Sequence, residues 1–362
     1  APWATRGKEI PVPQRPEPGL AFMFTITPLE RHTMPRLLHS LAAMLAALAT
    51  LLPAAASRAE QPWPRDTIRV VVPFAPGGLT DVIGRTLAQE LAVSLKVPVI
   101  VENKSGAFGL VGTEHVALAK PDGNTLLVGG GIVALADALY PKLRFDPRKD
   151  LTPVSMIERN GLLLVATNAD ERWRTAGLPD VLARAKERPG SVAVASFGSG
   201  SISHMALEAL KTASGADLLH VPYRGTAPAL PDLIGGQVPL MLDNSVTALP
   251  QVQAGKIRAI AYTGSQRLPQ LPDVPTFVEM GMPSMQIYNF FGLYVPAGTP
   301  APIAERLNAE VNRIFREPKV IARFAEMGAE LYPGTARDFA RFLEGERSRW
   351  GQLIRTRGIR PE

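Results

Sequence analysis

The chain contains no cysteine, which excludes disulfides, a thiolate nucleophile and cysteine-ligated metal. Histidine is scarce as well. Of five, two precede Glu60, and His115, His204 and His220 show no H-x-x-x-H spacing, so neither a metal nor a cofactor is expected. Aromatic residues make up 6% and are not interleaved with a basic run, which leaves nucleic-acid binding without support. Neither charge sign dominates: 39 Lys and Arg face 33 Asp and Glu, and half of the +6 net charge lies within residues 1–59. No apolar run reaches the ~20 residues that span a bilayer, so any work at a membrane requires a partner.

The N-terminal part does not read as folded protein. Met34-Pro35-Arg36 opens a basic region, Leu41–Leu52 is an apolar run, and Ser57-Arg58-Ala59 fits a small-x-small cleavage site. We therefore read 34–59 as a secretory signal peptide and 1–33 as a non-native or over-extended segment. Mature protein is expected to begin near Glu60. Export without disulfides suits a bacterial envelope protein that folds on its core alone. Residues 60–362 exceed the usual size of a single core and point to two domains.

The stretch Ile68 to Asp81, IRVVVPFAPGGLTD, organises the rest of the chain. Ile68, Val70, Val71 and Val72 form a short apolar run of the kind buried in a parallel sheet. Pro73 and Pro76 end it, and Gly77 and Gly78 permit turn geometry and close backbone approach. Thr80 or Asp81 caps the next helix, whose apolar face is Val82, Ile83, Leu87 and Leu91. A strand, a glycine turn and a helix N-terminus in series suit an anion, since free N–H groups meet the positive end of the helix dipole. A purely structural turn is an equal reading of the glycine pair alone.

Further on, Pro98–Asn103 reads as a strand leading into the loop Lys104–Gly109, and a helix runs through Ala119. A strand at Thr125–Val128 then completes βαβαβ. The alternation restarts near residue 160 with strand Gly161–Thr167, helix Leu178–Arg188 and strand Val192–Ser196. The loop Phe197–Ser201 comes next, before a helix carrying His204 and Leu207. Strands at Leu218–Val221, Leu240–Asp243, Ile257–Tyr262 and Phe290–Val295 precede helical stretches near 301–316, 318–327 and 335–354. Two lobes with crossings near 160–168 and 286–296 place the C-terminal helices back on the first. Nucleotide loops of the forms G-x-G-x-x-G and G-x-x-x-x-G-K-[ST] are absent.

Several long motifs then appear in one order: VVPFAPGGLTD, VIVENKSGAFG, KPDGNTLLVG, HVPYRGTAPALPDLIGGQVPLMLDN, LPDVPTFVEMG and GLYVPAGTPAPIAERLNAEVNR. From about Pro62 to the C-terminus the chain resembles the Bug family, the TctC-like periplasmic solute-binding proteins of tripartite tricarboxylate transporters. The resemblance implies a two-lobed α/β periplasmic-binding-protein fold of the type II, Venus-flytrap kind. Each lobe would be a mostly parallel sheet flanked by helices, with 60–162 and 290–362 as lobe 1 and 163–289 as lobe 2. It implies a monomer that captures a small organic-acid or amino-acid carboxylate in the cleft and delivers it to membrane transporter subunits. An envelope ligand sensor, or an enzyme acting on a small acid, are the alternatives.

Carried over by motif, the first-lobe loop is Phe74 to Thr80, with Asp81 just inside its helix and Gly77 and Gly78 presenting amides to the carboxylate. The second is Ser196 to Ser201, namely Ser196, Phe197, Gly198, Ser199, Gly200 and Ser201, with His204 inside its helix. Tyr223 and Asp243 sit at strand ends facing the cleft. Tyr223 is equally a lobe-packing residue, and Asp243 either accepts from the ligand or caps the helix Ser245–Ala254. Leu79 stands where small or hydroxylated residues are common, and Phe197, Ile202 and Ser203 replace residues that are more often Ser, Ser and Pro, so a more apolar pocket is expected. Ser199 or Ser201 near His204 permits a hydrolase reading, but no G-x-S-x-G elbow accompanies them.

Overall fold

The computed structural model describes residues 63–360, which fall in one compact unit. The expected signal peptide and the start near Glu60 lie outside these residues. The described chain opens with β1 (Ile68–Val72), α1 (Leu79–Leu95), β2 (Val99–Asn103), α2 (Leu110–Ala117) and β3 (Thr125–Gly130). β1 lies parallel to both other strands, with Ile68 opposite Val99 and Val70 opposite Leu126. Four of its five residues are buried and only Arg69 is exposed, as a strand covered on both faces requires.

Helix α3 (Ile132–Leu139) leads to β4 (Leu151–Thr167), a strand of 17 residues. At ~3.3 Å per residue it spans about 56 Å, enough to serve two sheets. Its first part, Leu151–Gly161, pairs antiparallel with β9 (Tyr288–Pro296), which pairs antiparallel with β3. Its last part pairs antiparallel with β7 (Leu240–Asn244) on one side and β8 (Ile257–Tyr262) on the other. β7 runs parallel to β5 (Val192–Ser196), and β5 parallel to β6 (Leu218–Pro222). The first sheet thus has the order β2-β1-β3-β9-β4 and the second β6-β5-β7-β4-β8. Within each of these five-strand orders one strand runs against the others, and it occupies the same fourth place.

The helices α4 (Glu171–Arg174), α5 (Leu178–Glu187), α6 (Ile202–Ser214), α7 (Thr226–Ile234) and α8 (Ser245–Gln253) connect the strands of the second sheet. After β9 come α9 (Ala301–Ile314), α10 (Pro318–Glu326), the short β10 (Glu330–Leu331) on the edge of β4, and α11 (Ala336–Arg357). The sequence places these last helices on the first lobe. Leu307 and Val311 of α9, with Phe339 and Leu343 of α11, do pack with first-sheet residues, but Trp350 and Ile354 join the core of the second. α11 therefore braces both cores.

β4 begins ten residues before the strand expected at Gly161. Pro153 and Glu158 lie in that extension, next to register shifts between Pro153 and Ser155 and between Met156 and Glu158. The bulges absorb a residue without a donor and let the strand bend between sheets. Glu158 is fully buried, neither carboxyl oxygen is hydrogen-bonded, and burial beside Glu330 pushes its carboxyl well above the usual range. Burial thus favours its protonated, neutral form.

Candidate ligand-binding loops

The loop after β1 is fixed by Asp81, in the first turn of α1. Its carboxylate accepts from the Gly77 N–H at 3.0 Å, from Arg85 Nε and Nη2 at 2.8 and 3.1 Å, and from Asn103 Nδ2 at 3.0 Å. Asn103 also donates to the Phe74 carbonyl at 3.0 Å, so the end of β2 is tied to the same turn. Burial pushes the Asp81 carboxyl up, but hydrogen bonds from Arg85, Gly77 and Asn103 outweigh it and hold it below the usual range. Asp81 is therefore spent inside the protein. So is the Gly77 amide, which the motif assigns to the ligand. The amides left to an anion are those of Gly78, Leu79 and Thr80: Gly78 is the N-cap, receives no side-chain cap, and an α-helix gives its first N–H groups no internal partner. Gly77 and Gly78 are exposed, and a Cβ on either would meet nothing within 4 Å, so the backbone here is open to close approach.

The loop Ser196–Ser201 is also bonded to itself. The Gly198 N–H donates to Ser196 Oγ at 3.2 Å, the Gly200 N–H to His204 Nδ1 at 3.1 Å, and Ser201 N–H to the Gly198 carbonyl at 3.1 Å. Ser201 Oγ caps α6 by accepting the His204 N–H at 3.2 Å. Ser196 Oγ lies 2.6 Å from His220 Nε2, and the His220 ring stacks on His204 with centroids 3.8 Å apart. Burial, and then the neighbouring His220, push the His204 imidazole down to about 3. It is neutral at pH 7 and accepts the Gly200 N–H. The Ser–His pair that forms is thus Ser196 with His220, and Ser196 is fully buried beneath the loop where a nucleophile would meet no substrate.

Tyr223 and Asp243 are likewise committed. Tyr223 Oη donates to Asp232 at 2.8 Å, and burial together with that carboxylate pushes the phenol up to about 12. Its carbonyl oxygen lies where it would be 3.5 Å from a Cβ on Gly198, so it backs the second loop. Asp243 is fully buried and accepts from Thr226 Oγ1 at 2.6 Å and Thr247 Oγ1 at 2.7 Å, tying the starts of α7 and α8 together. It is neither a helix cap nor an exposed ligand group. Burial pushes its carboxyl up to about 6. Next to it, Asn244 Oδ1 accepts from both Asn160 and Asn289 at 3.2 Å, an amide cluster that joins β4, β7 and β9.

What brings the loops together is Phe108, a residue to which the sequence assigns no role beyond membership of the loop Lys104–Gly109. Its ring meets Phe74 of the first loop edge-on at 5.9 Å and stacks on Phe197 of the second at 6.1 Å and 15°. The backbone is held unusually to achieve this: Ala107 and Phe108 have φ of 44° and 52°. A left-handed conformation costs a non-glycine residue about 1–2 kcal/mol. The signal available in the sequence is an aromatic residue inside the glycine-flanked run Ser105-Gly-Ala-Phe-Gly109. Gly200 completes the approach, since a Cβ there would press on Leu139 of α3 at 3.1 Å.

A separate cavity of about 630 Å³, bordered by Arg267, Tyr288, Arg316 and Tyr332, shares no residue with the loops. Its Arg267 is paired with Glu279, and the adjoining Arg159 with Glu330. Among the described residues, no three His, Asp or Glu side chains gather as a metal site.

A sequence profile for the tripartite tricarboxylate transporter family receptor, TctC, matches residues 83–359. The chain belongs to this receptor family. Protein BugT of Bordetella pertussis is 35% identical over 300 residues, covering 82% of this chain and 91% of that protein. Among solved structures, MatC from Rhodopseudomonas palustris with bound malate is 36% identical, with a TM-score of 0.71 over 81% of this chain and all of that one. An R. palustris protein with adipate is 33% identical, with a TM-score of 0.75 over 83% and 100% of the two chains. The TctC receptor thus has the two-lobed α/β fold of periplasmic binding proteins, and its paired sheets sharing β4 are the local form of that architecture.

Proposed function

We propose that this TctC receptor captures a small carboxylate in the periplasm between the loops Phe74–Thr80 and Ser196–Ser201 and passes it to a membrane transporter, with no chemical conversion. The observation that carries this reading is the convergence, through Phe108, of two loops that each end a parallel strand and start a helix. The start of α1, whose first amides have no side-chain cap, favours an anion. The relatives solved with malate and adipate agree with that sign of charge. The committed state of Ser196, Ser201 and His204 argues against hydrolysis, because a nucleophile needs an accessible base and a substrate in reach.

On this reading the first sheet, with 60–162 and 290–362, and the second, with 163–289, are lobes that close on the ligand. β4 and β9 supply the hinge, because they carry the chain between the sheets. Closure strengthens the amide bonds by expelling competing water. Incubating the protein with a panel of acids, then measuring both bound and converted compound, tests the proposal. Binding without conversion is expected, and turnover of any acid would overturn it.

A further inference from the structure

If the loops hold a carboxylate, their remaining surface restricts the body of the ligand. A hydroxy acid needs a side-chain partner for its hydroxyl, and an amino acid needs a carboxylate for its ammonium, or each is desolvated at a cost. The acids available are Asp81, ion-paired with Arg85, and Asp243, buried between Thr226 and Thr247. The hydroxyls of Ser196, Ser201 and Tyr223 are bonded to His220, the His204 N–H and Asp232, which leaves the half-buried Ser199 as the one serine of the second loop whose hydroxyl has no bond. What the two loops share instead is aromatic. Phe74 and Phe108 are half-buried, and Phe108 covers the buried Phe197 with nearly parallel rings. The uncommon backbone at Ala107 and Phe108 holds a ring between loops that belong to different sheets.

We propose that the preferred ligand is an aromatic carboxylate, its charge on the amides at the start of α1 and its ring against Phe74 and Phe108. This rests on the carboxylate reading above and narrows it. A planar ring offers the offset or edge contacts that this row of phenyl groups favours and leaves no polar atom unpartnered in the cleft. Phe108 then selects the ligand: it touches the body and not the charge.

Calorimetric titration of the protein with benzoate, phenylacetate, malate, glutamate and the uncharged benzamide tests this. The aromatic acids are expected to bind at least about tenfold tighter than malate or glutamate, and benzamide weakly or not at all. Phe108→Ala should weaken the aromatic acids by at least about tenfold more than it weakens malate, removing that preference; Phe108→Leu, which keeps apolar bulk, should fold and show an intermediate loss. Tighter binding of malate or glutamate, or an unchanged aromatic preference in both variants, overturns the aromatic assignment and leaves the carboxylate receptor standing. Binding of benzamide with none of the acids overturns both.

Discussion

The Gly77 N–H donates to the Asp81 carboxylate at 3.0 Å across the first turn of α1, and Arg85 and Asn103 complete the same knot. The loop is thereby set before any ligand arrives. Asp81→Ala removes the acceptor from several donors at once and leaves Gly77 and Asn103 without it. A stability loss of about 1–3 kcal/mol is expected from unsatisfied partly buried donors. Because the Asp81 carboxyl is held below its usual range, the stability it adds is present above the unfolded pKa and lost as pH falls through the folded one. Thermal melts at pH 7 and in acid should therefore differ more for the native protein than for the variant.

Gly78 separates binding from folding. Its φ of −82° and ψ of 172° suit any residue, and a Cβ there meets no atom within 4 Å. Gly78→Val should change stability by no more than about 0.5 kcal/mol, as a surface substitution does. The branched side chain nevertheless stands where the anion must approach the backbone, so affinity for any acid should fall by more than about tenfold. Calorimetry and a denaturant curve on one preparation decide it.

Asp243 and His204 pull the pH dependence in opposite directions. The Asp243 carboxyl is raised to about 6, so its contribution is full below the unfolded pKa and is lost as pH rises through 6. The His204 imidazole is lowered to about 3, so its contribution is full above the unfolded value and is lost as pH falls toward 3. Between pH 4 and 6 they offset one another. Asp243→Asn removes one of them and should make stability climb more steeply across that window, by on the order of 2 kcal/mol at ~1.4 kcal/mol per pKa unit. Urea midpoints at pH 4 and 6 measure it; parallel curves for the two proteins would contradict the assignment.

Much of the fold was legible because its signals are local. β1, β2, β3 and β5 are short β-rich runs that end in glycine or serine loops, and the structure places each within a residue or two of its expected bounds. The first ten residues of β4 were not legible, since Pro153, Glu158 and Arg159 interrupt the apolar run and only the bulges and the burial of Glu158 reconcile them with a strand. Helix α3 escaped because nearly all of Ile132–Leu139 is buried, which erases the period of an amphipathic helix. Helix α7 escaped because Pro231 lies inside it. In the loops, the glycine turns were readable, but the bonds that commit Asp81 to Asn103 and Asp243 to Thr226 link residues 22 and 17 apart, beyond any local pattern. The position of Phe108 depends on the packing of both sheets.

Closure of the lobes should be visible in solution. Scattering with and without a saturating acid is expected to give a smaller radius of gyration in the bound form, since a ligand that touches both loops favours the closed state by its differential affinity. α11, which packs on both cores, must slide or bend as this happens. Identical curves would indicate a pocket already formed in the free protein.

The central claim is that the paired loops hold a carboxylate and leave it unchanged, and mass spectrometry of the compound released from protein purified without refolding tests it most directly. The predicted result is one small acid, carrying at least one carboxylate, in near-equal amount with the protein and still intact after prolonged incubation. A neutral or cationic compound, or an acid that disappears into a product, would contradict it.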